Sequence, residues 1–151
     1  MAEGIGNNTV VQVGLIVRDI EEKLDAYCRI FGLETRPQVT ITDPVEQTGM
    51  VYRGESSPAR AKLAFINMGQ VQIELIEPDG NPSTWQEFLD QHGEGVHHLA
   101  FFVKGTDQVV AYLDSHGIPL VQQGHYTGGM YTYLDSAPQL GVMLELLENF
   151  E

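Results

Sequence analysis

Residues 11–17 alternate, with Val11, Val13, Leu15 and Val17 on one face and Gln12, Gly14 and Ile16 on the other. That period of two predicts a strand lying under a helix. Asp19 followed by Glu22 has the form of a capping box, and Ile20, Leu24, Tyr27 and Phe31 then recur at helical spacing before Gly32. Short β-rich runs follow at 37–41, 61–67 and 71–77. The series then starts again. Leu99, Phe101 and Val103 are expected to face a helix, while His98, Ala100 and Phe102 point away. Thr106 is read as a helix cap, Val109, Val110 and Leu113 as its apolar face and Gly117 as its stop, before runs at 119–122, 130–134 and 142–147. Between the two series, 82–91 reads as a short linking helix with Trp85, Phe88 and Leu89 toward the core.

The two series look like copies of one β-α-β-β-β unit. Val17-Arg18 aligns with Val103-Lys104, Ala26-Tyr27 with Ala111-Tyr112, Gly32 with Gly117, and 73–77 (IELIE) with 144–148 (LELLE). Gln12 to Glu74 spans 62 positions and His98 to Glu145 spans 47; the excess falls in 43–60, a Pro-, Gly- and Ser-containing stretch that reads as an inserted loop.

Composition narrows the function. The 151 residues amount to one domain, and 42% hydrophobic content is enough to fill its core. Eight Lys+Arg against 21 Asp+Glu leave a net charge of −13, which argues against nucleic acid and anionic membranes. All eight basic residues lie at or before Lys104. Cys28 is the only cysteine, so neither an internal disulfide nor a cysteine zinc site is expected. The stretch MAEGIGNN has neither a basic start nor an apolar run, and no segment approaches a membrane span, so the expected setting is cytoplasmic.

Each unit's first strand presents a polar residue with a very small one two positions on: Gln12 with Gly14, and His98 with Ala100. That pairing predicts space for a ligand beside the polar group. Gln72 and Glu74 are explained equally well by a half-exposed strand. Glu145 is not, because Met143 and Leu147 share its face and an unpaired charge there is costly, a cost that a metal ion would remove. In the His97-His98 pair alternation sends only one ring inward, and the repeat selects His98. His92 and His116 read as solvated. His125 lies in 123–129, expected to be a flexible loop able to close over a pocket.

GEGVHHLAFFV (93–103), QVQIELIEP (70–78) and GVMLELLE (141–148), in that order on paired units, resemble the vicinal oxygen chelate superfamily over about residues 9–149. Within it the chain is most similar to methylmalonyl-CoA epimerases, followed by glyoxalase I. The resemblance implies an α+β glyoxalase-like fold. Two modules, about 9–78 and about 95–149, would be joined by the 82–91 helix into an open eight-stranded cup. It also implies one divalent metal (Zn, Co, Ni, Mn or Mg) held by Gln12, Glu74, His98 and Glu145. Gln12 departs from the His usual in epimerases but matches glyoxalase I of the eukaryotic type, and the single His ligand argues against an iron dioxygenase.

Glu46-Gln47, just before Thr48-Gly49, resembles the epimerase Glu-Gln-Gly stretch, whose Glu acts as a base. The implied activity is proton transfer next to a carbonyl, with Glu145 and Glu74 as paired acid and base and Glu46 as the alternative. The implied substrate is an acyl-CoA or glutathione thioester, and the implied assembly a homodimer. Arg53, Arg60 and Lys62 would meet the phosphates of an acyl-CoA. A metal-free binding protein of the bleomycin-resistance type is the alternative from another class.

Overall fold

In the computed structural model, which describes residues 4–150, the first strand β1 (Gln12–Ile16) is followed by helix α1 (Ile20–Phe31). Met1, Ala2 and Glu3 of the MAEGIGNN stretch lie outside the described residues. Asp19 caps α1 by accepting from the Glu22 amide at 3.2 Å, and Gly32 ends it with a left-handed backbone, φ 64°. Ile20 and Leu24 are buried as expected. Phe31, the last residue of the helix, is not: it is 54% exposed.

The first series continues with β2 (Thr40–Ile41), α2 (Val45–Thr48), β3 (Val51–Tyr52), β4 (Glu55–Ser56), β5 (Ala61–Met68) and β6 (Val71–Pro78). Helix α3 (Thr84–His92), capped by Ser83, leads to the second series: β7 (Gly95–Phe102), α4 (Thr106–Ser115), β8 (Leu120–Tyr126), β9 (Gly129–Leu134), α5 (Ala137–Leu140) and β10 (Met143–Asn149). Gly105 rather than Thr106 occupies the cap position of α4. The repeat explains how both long helices are anchored. Glu77 accepts from the Ile20 amide at 2.9 Å, and its counterpart Glu148 accepts from the Gly105 and Thr106 amides at 3.1 and 3.0 Å. Each unit thus places a carboxylate at its own helix N-terminus, where unpaired N–H groups favour negative charge.

All strands form one mixed sheet in the order β2-β5-β6-β1-β7-β10-β9-β8-β3-β4. Among the described residues it has ten strands, not eight. The two additional strands arise within the 43–60 insertion, where β3 and β4 form a hairpin that leaves its own series and pairs with β8. The expected 123–129 loop is likewise β-structure, the end of β8 and its turn into β9.

Connectivity forces the sheet to curl. Laid flat, strands about 4.8 Å apart would separate β2 from β3 by roughly 38 Å. The connection from Ile41 to Val51, part of it helical, reaches only about 26 Å. The sheet therefore bends into a half-barrel, and residues 42–50 span its open side.

Alternation then sorts the side chains. Val17, Leu15, Leu75 and Ile73 pack on the outer face under α1, and Val103, Leu144 and Leu146 under α4. Ile16, Ile76, Met50, Trp85 and Tyr133 pack on the inner side.

Candidate metal centre

The four central strands, β6, β1, β7 and β10, bring the site together through register. One row across the sheet runs Glu74, Gly14, His98, Met143; two residues along, the next runs Gln72, Gln12, Ala100, Glu145. The four predicted donors therefore share the inner face, and the small residues Gly14 and Ala100 stand between them. The space above Gly14 is not left for a ligand, as the sequence suggests. The His98 ring fills it: a Cβ at Gly14 would lie 2.0 Å from His98 Cε1.

Gln12, Glu74, His98 and Glu145 are all buried. His98 Nε2 stands 3.1 Å from Glu145 Oε1, 3.4 Å from Glu74 Oε1 and 3.0 Å from the Gln12 amide. With its nitrogen inward, Gln12 donates to both carboxylates at 3.1 Å, and its other amide atom meets the Gln72 side chain at 2.7 Å. Half a turn of that amide would present its oxygen to a cation instead.

Burial raises the Glu74 carboxyl above its ordinary range, and the neighbouring Glu145 charge raises it further. Burial alone would depress His98, but the Glu145 charge, with hydrogen bonds to Glu145 and Glu74, outweighs it and pushes the imidazole up to about 10. These are the electrostatics of a site built around positive charge.

His97 departs from strand alternation. Between Gly14 and Leu15 the β1–β7 register slips, so that Gly14 faces His98 while Leu15 faces Val96. His97 is the unpaired extra residue of a β-bulge. Its ring is buried against Tyr133 and Phe88, with centroids 5.0 and 5.5 Å away, and its Nδ1 lies 2.8 Å from His98 Nδ1. Burial and then the His98 charge hold it well below the ordinary histidine range, so it is neutral.

Above the donors lies a cavity of about 550 Å³ into which Gln12, Glu74 and Glu145 face. Its walls are largely apolar and aromatic, including Met50, Phe65, Trp85, Phe102, Tyr131 and Tyr133. Burial, followed by the Glu145 and Glu74 charges, raises Tyr133 far above its ordinary value and keeps it a hydrogen-bond donor or acceptor rather than an anion. Thr42, Asp43, Thr48 and Met50 from the 42–50 span form one side, and His125 joins the lining with Nδ1 3.4 Å from the Thr48 carbonyl.

Other sequence candidates lie outside this centre. Glu46 is exposed on α2 and is not among the lining residues. His92 and His116 are exposed at helix ends. Arg53 is paired with Glu87 at 2.8 Å and Lys62 with Glu77 at 3.7 Å, whereas Arg60 donates through Nε to the carbonyl of cavity-lining Thr42 at 2.8 Å. Gln72, read from sequence as a half-exposed strand residue, and His97, read as the ring that does not turn inward, both touch a donor.

The donor set fits a divalent cation. An ion bound at about 2.1 Å sets adjacent donors roughly 3.0 Å apart and opposite donors about 4.2 Å apart. The 3.0–3.4 Å separations around His98 match that spacing, and one ligand atom each from Glu74, His98 and Glu145 lie within 4.8 Å of one another. Two carboxylates, an amide and an imidazole suit a hard or borderline ion.

Comparison with known proteins agrees with this architecture. A family model described as the Glyoxalase/Bleomycin resistance protein/Dioxygenase superfamily matches residues 11–133. Uncharacterized protein YqjC of Bacillus subtilis (strain 168) is 26% identical over 145 residues, covering 93% of this chain and 92% of its own length. Mitochondrial methylmalonyl-CoA epimerase of Dictyostelium discoideum is 24% identical over 148 residues, covering 95% and 80%. Methylmalonyl-CoA epimerase from Mycobacterium tuberculosis superimposes with a TM-score of 0.66 at 23% identity, over 100% of this chain and 93% of that one. A variant of the Streptomyces coelicolor epimerase, in complex with 2-nitronate-propionyl-CoA, gives 0.62 at 22% identity over 94% and 97%. At these identities the solved structures show the shared fold. No helix among the described residues is long and apolar enough to cross a membrane.

Proposed function

The chain belongs to the glyoxalase/bleomycin resistance protein/dioxygenase superfamily, and from that premise we propose that it is a divalent-metal-dependent lyase or isomerase, most like methylmalonyl-CoA epimerase. The observation that carries this reading is the buried Glu74–His98–Glu145 group, completed by Gln12, at the floor of an apolar-walled cavity. Those four residues would hold the metal, whose chemistry when bound is to polarise substrate oxygens as a Lewis acid.

The protein's own groups then account for the proton. Glu74 and Glu145 face the cavity floor from β6 and β10, and whichever of them leaves the metal would serve as the base. Apolar walls exclude water that would otherwise compete for the transferred proton. Glu46 is the alternative base: it stays on the exposed side of the segment whose Thr48 and Met50 line the cavity.

An acyl-CoA substrate is supported by the epimerase relatives, one of them in complex with 2-nitronate-propionyl-CoA, and by Arg60, free of ion pairs among the described residues, beside Thr42 at the cavity. Gln12 favours a second reading, a glyoxalase I-like isomerase acting on a glutathione hemithioacetal. A metal-free binding protein is disfavoured, since two buried acids serve no purpose in an apolar drug pocket. In any of these the working unit is proposed to be a homodimer.

Metal titration followed by deuterium wash-in at C2 of methylmalonyl-CoA tests the proposal. Exchange in the metal-loaded protein, abolished in Glu145→Gln and retained in Glu46→Gln, is expected. Turnover of a hemithioacetal without exchange selects the isomerase. Failure to bind any divalent metal refutes both enzyme readings.

A further inference from the structure

The bulge in β7 has no part in the scheme above, yet it places His97 against the one imidazole of the candidate centre. In an unbroken strand residue 97 would project to the outer face. Here the extra residue turns His97 inward, where Phe88 and Tyr133 enclose its ring edge-on.

We propose that His97 is a positioning residue that accepts a hydrogen bond from His98 Nδ1–H and so fixes the orientation and tautomer of His98. The tautomer rests on the metal reading, which needs the His98 Nε2 lone pair; the close Nδ1–Nδ1 contact stands without it.

The geometry leaves two arrangements. With the two Nδ1 atoms 2.8 Å apart, one proton lies between them, since two facing lone pairs would repel and two protons would collide. If His97 held that proton, a neutral His98 would carry its own on Nε2, which stands 3.1 Å from Glu145 and 3.0 Å from the Gln12 amide. That proton would occupy the direction in which a metal ligand must offer its lone pair. With the proton on His98 Nδ1, the Nε2 lone pair is free for a cation. His97 then carries its own proton on Nε2. In the metal-free protein the carboxylates 3.1 and 3.4 Å from Nε2 and the His97 Nδ1 2.8 Å from Nδ1 set an acceptor at each ring nitrogen. An outer partner of this kind sets the ring angle and basicity of a ligating histidine.

The test combines long-range ¹H–¹⁵N correlation spectra of histidine-labelled protein, recorded with and without Zn, and Zn affinities of His97→Phe and His97→Asn. Loss of one ring's signals in His97→Asn assigns the rings. We expect His97 to carry its proton on Nε2 in both states, and His98 to carry one on Nδ1 in both. His97→Phe, which keeps an aromatic ring but no acceptor, should bind Zn about 10–100-fold more weakly. His97→Asn, whose side-chain oxygen can replace Nδ1 as acceptor, should stay within a few-fold of wild type. Melting of the metal-free variants separates an affinity loss from unfolding. A His97 protonated on Nδ1, or equal affinities for the Phe and Asn variants, overturns the proposal. If wild type binds no Zn, the metal reading falls, while the metal-free spectrum still decides the tautomer; if His97→Phe does not fold, the spectra and His97→Asn decide.

Discussion

Gly14→Ala adds one methyl group at the most crowded point of the centre. The new Cβ would lie 2.0 Å from His98 Cε1, 2.4 Å from Nδ1 and 2.5 Å from Nε2. Ordinary carbon contacts are about 3.5 Å, so the ring would have to withdraw by about 1.5 Å. It has no free side: His98 is fully buried, with His97 at 2.8 Å, the tilted Tyr133 ring 5.2 Å away between centroids and two carboxylates at its Nε2. Gly14 has no left-handed backbone, so the penalty is overpacking rather than dihedral strain. Overpacking of this kind costs about 1–3 kcal/mol. For a chain of this size each kcal/mol lowers Tm by about 2–4 °C, which gives a fall of about 2–12 °C in a calorimetric or circular-dichroism melt of the metal-free protein. Metal affinity should suffer more, because donor positions matter to about 0.2 Å. A loss exceeding the roughly 10–100-fold of an outer-partner mutation is expected by calorimetric titration. In a His98→Ala background the clash disappears and the same substitution should cost almost no stability. An unchanged Tm and affinity for Gly14→Ala, or an equal penalty in both backgrounds, would refute the packing described here.

Protonation of His98 should be visible in two ways. Its folded value of about 10 lies above the roughly 6.5 of an unfolded histidine, so its stabilisation is complete below about pH 6.5 and is lost as pH rises toward 10. Denaturation of metal-free wild type against His98→Gln across that range reads the difference. Zn uptake near pH 7.5 should likewise release close to one proton, measured by calorimetry in buffers of different ionisation enthalpy; a buffer-independent heat would contradict it. Tyr133→Phe leaves the buried Trp85 Nε1–H, now 3.1 Å from the phenol oxygen, without an acceptor and should cost about 1–3 kcal/mol in a urea melt. Asp19→Ala removes the α1 cap and should cost about 1 kcal/mol while leaving metal affinity intact.

Much of the framework was legible because it depends on local chemistry. Asp19, Gly32 and Ser83 act on neighbouring backbone, and the period of two sorts the faces of each strand separately, while the pairing of β6, β1, β7 and β10 sets Gln12, Glu74, His98 and Glu145 on a common one. The repeated IELIE and LELLE segments showed equivalence but not purpose; that Glu77 and Glu148 hold helix N-termini needs the fold to bring residues 57 and 42 positions apart together. Three features were hidden for physical reasons. A bulge is a mismatch between two strands, so neither strand read alone reveals that His97 turns inward. The hairpin at 51–56 is stabilised by β8, a partner more than sixty residues away, and its own two-residue strands carry no period. Glu46 matched a motif by composition, whereas its exposure is set by which side of a four-residue helix meets the cavity.

The 42–50 span separates two kinds of precision within one cavity. The donors hang on four adjacent strands whose ladder fixes them relative to one another. The wall formed by Thr42, Asp43, Thr48 and Met50 belongs to a connection outside that ladder, which joins one free edge of the sheet to the hairpin on the other. Rewriting this connection at constant length, with Glu46 kept, alters what the cavity admits and leaves Gln12, Glu74, His98 and Glu145 where they are. Cavity selectivity can therefore vary while the donor set stays fixed, and randomising 42–45 and 47–50 is the direct way to change what the cavity binds.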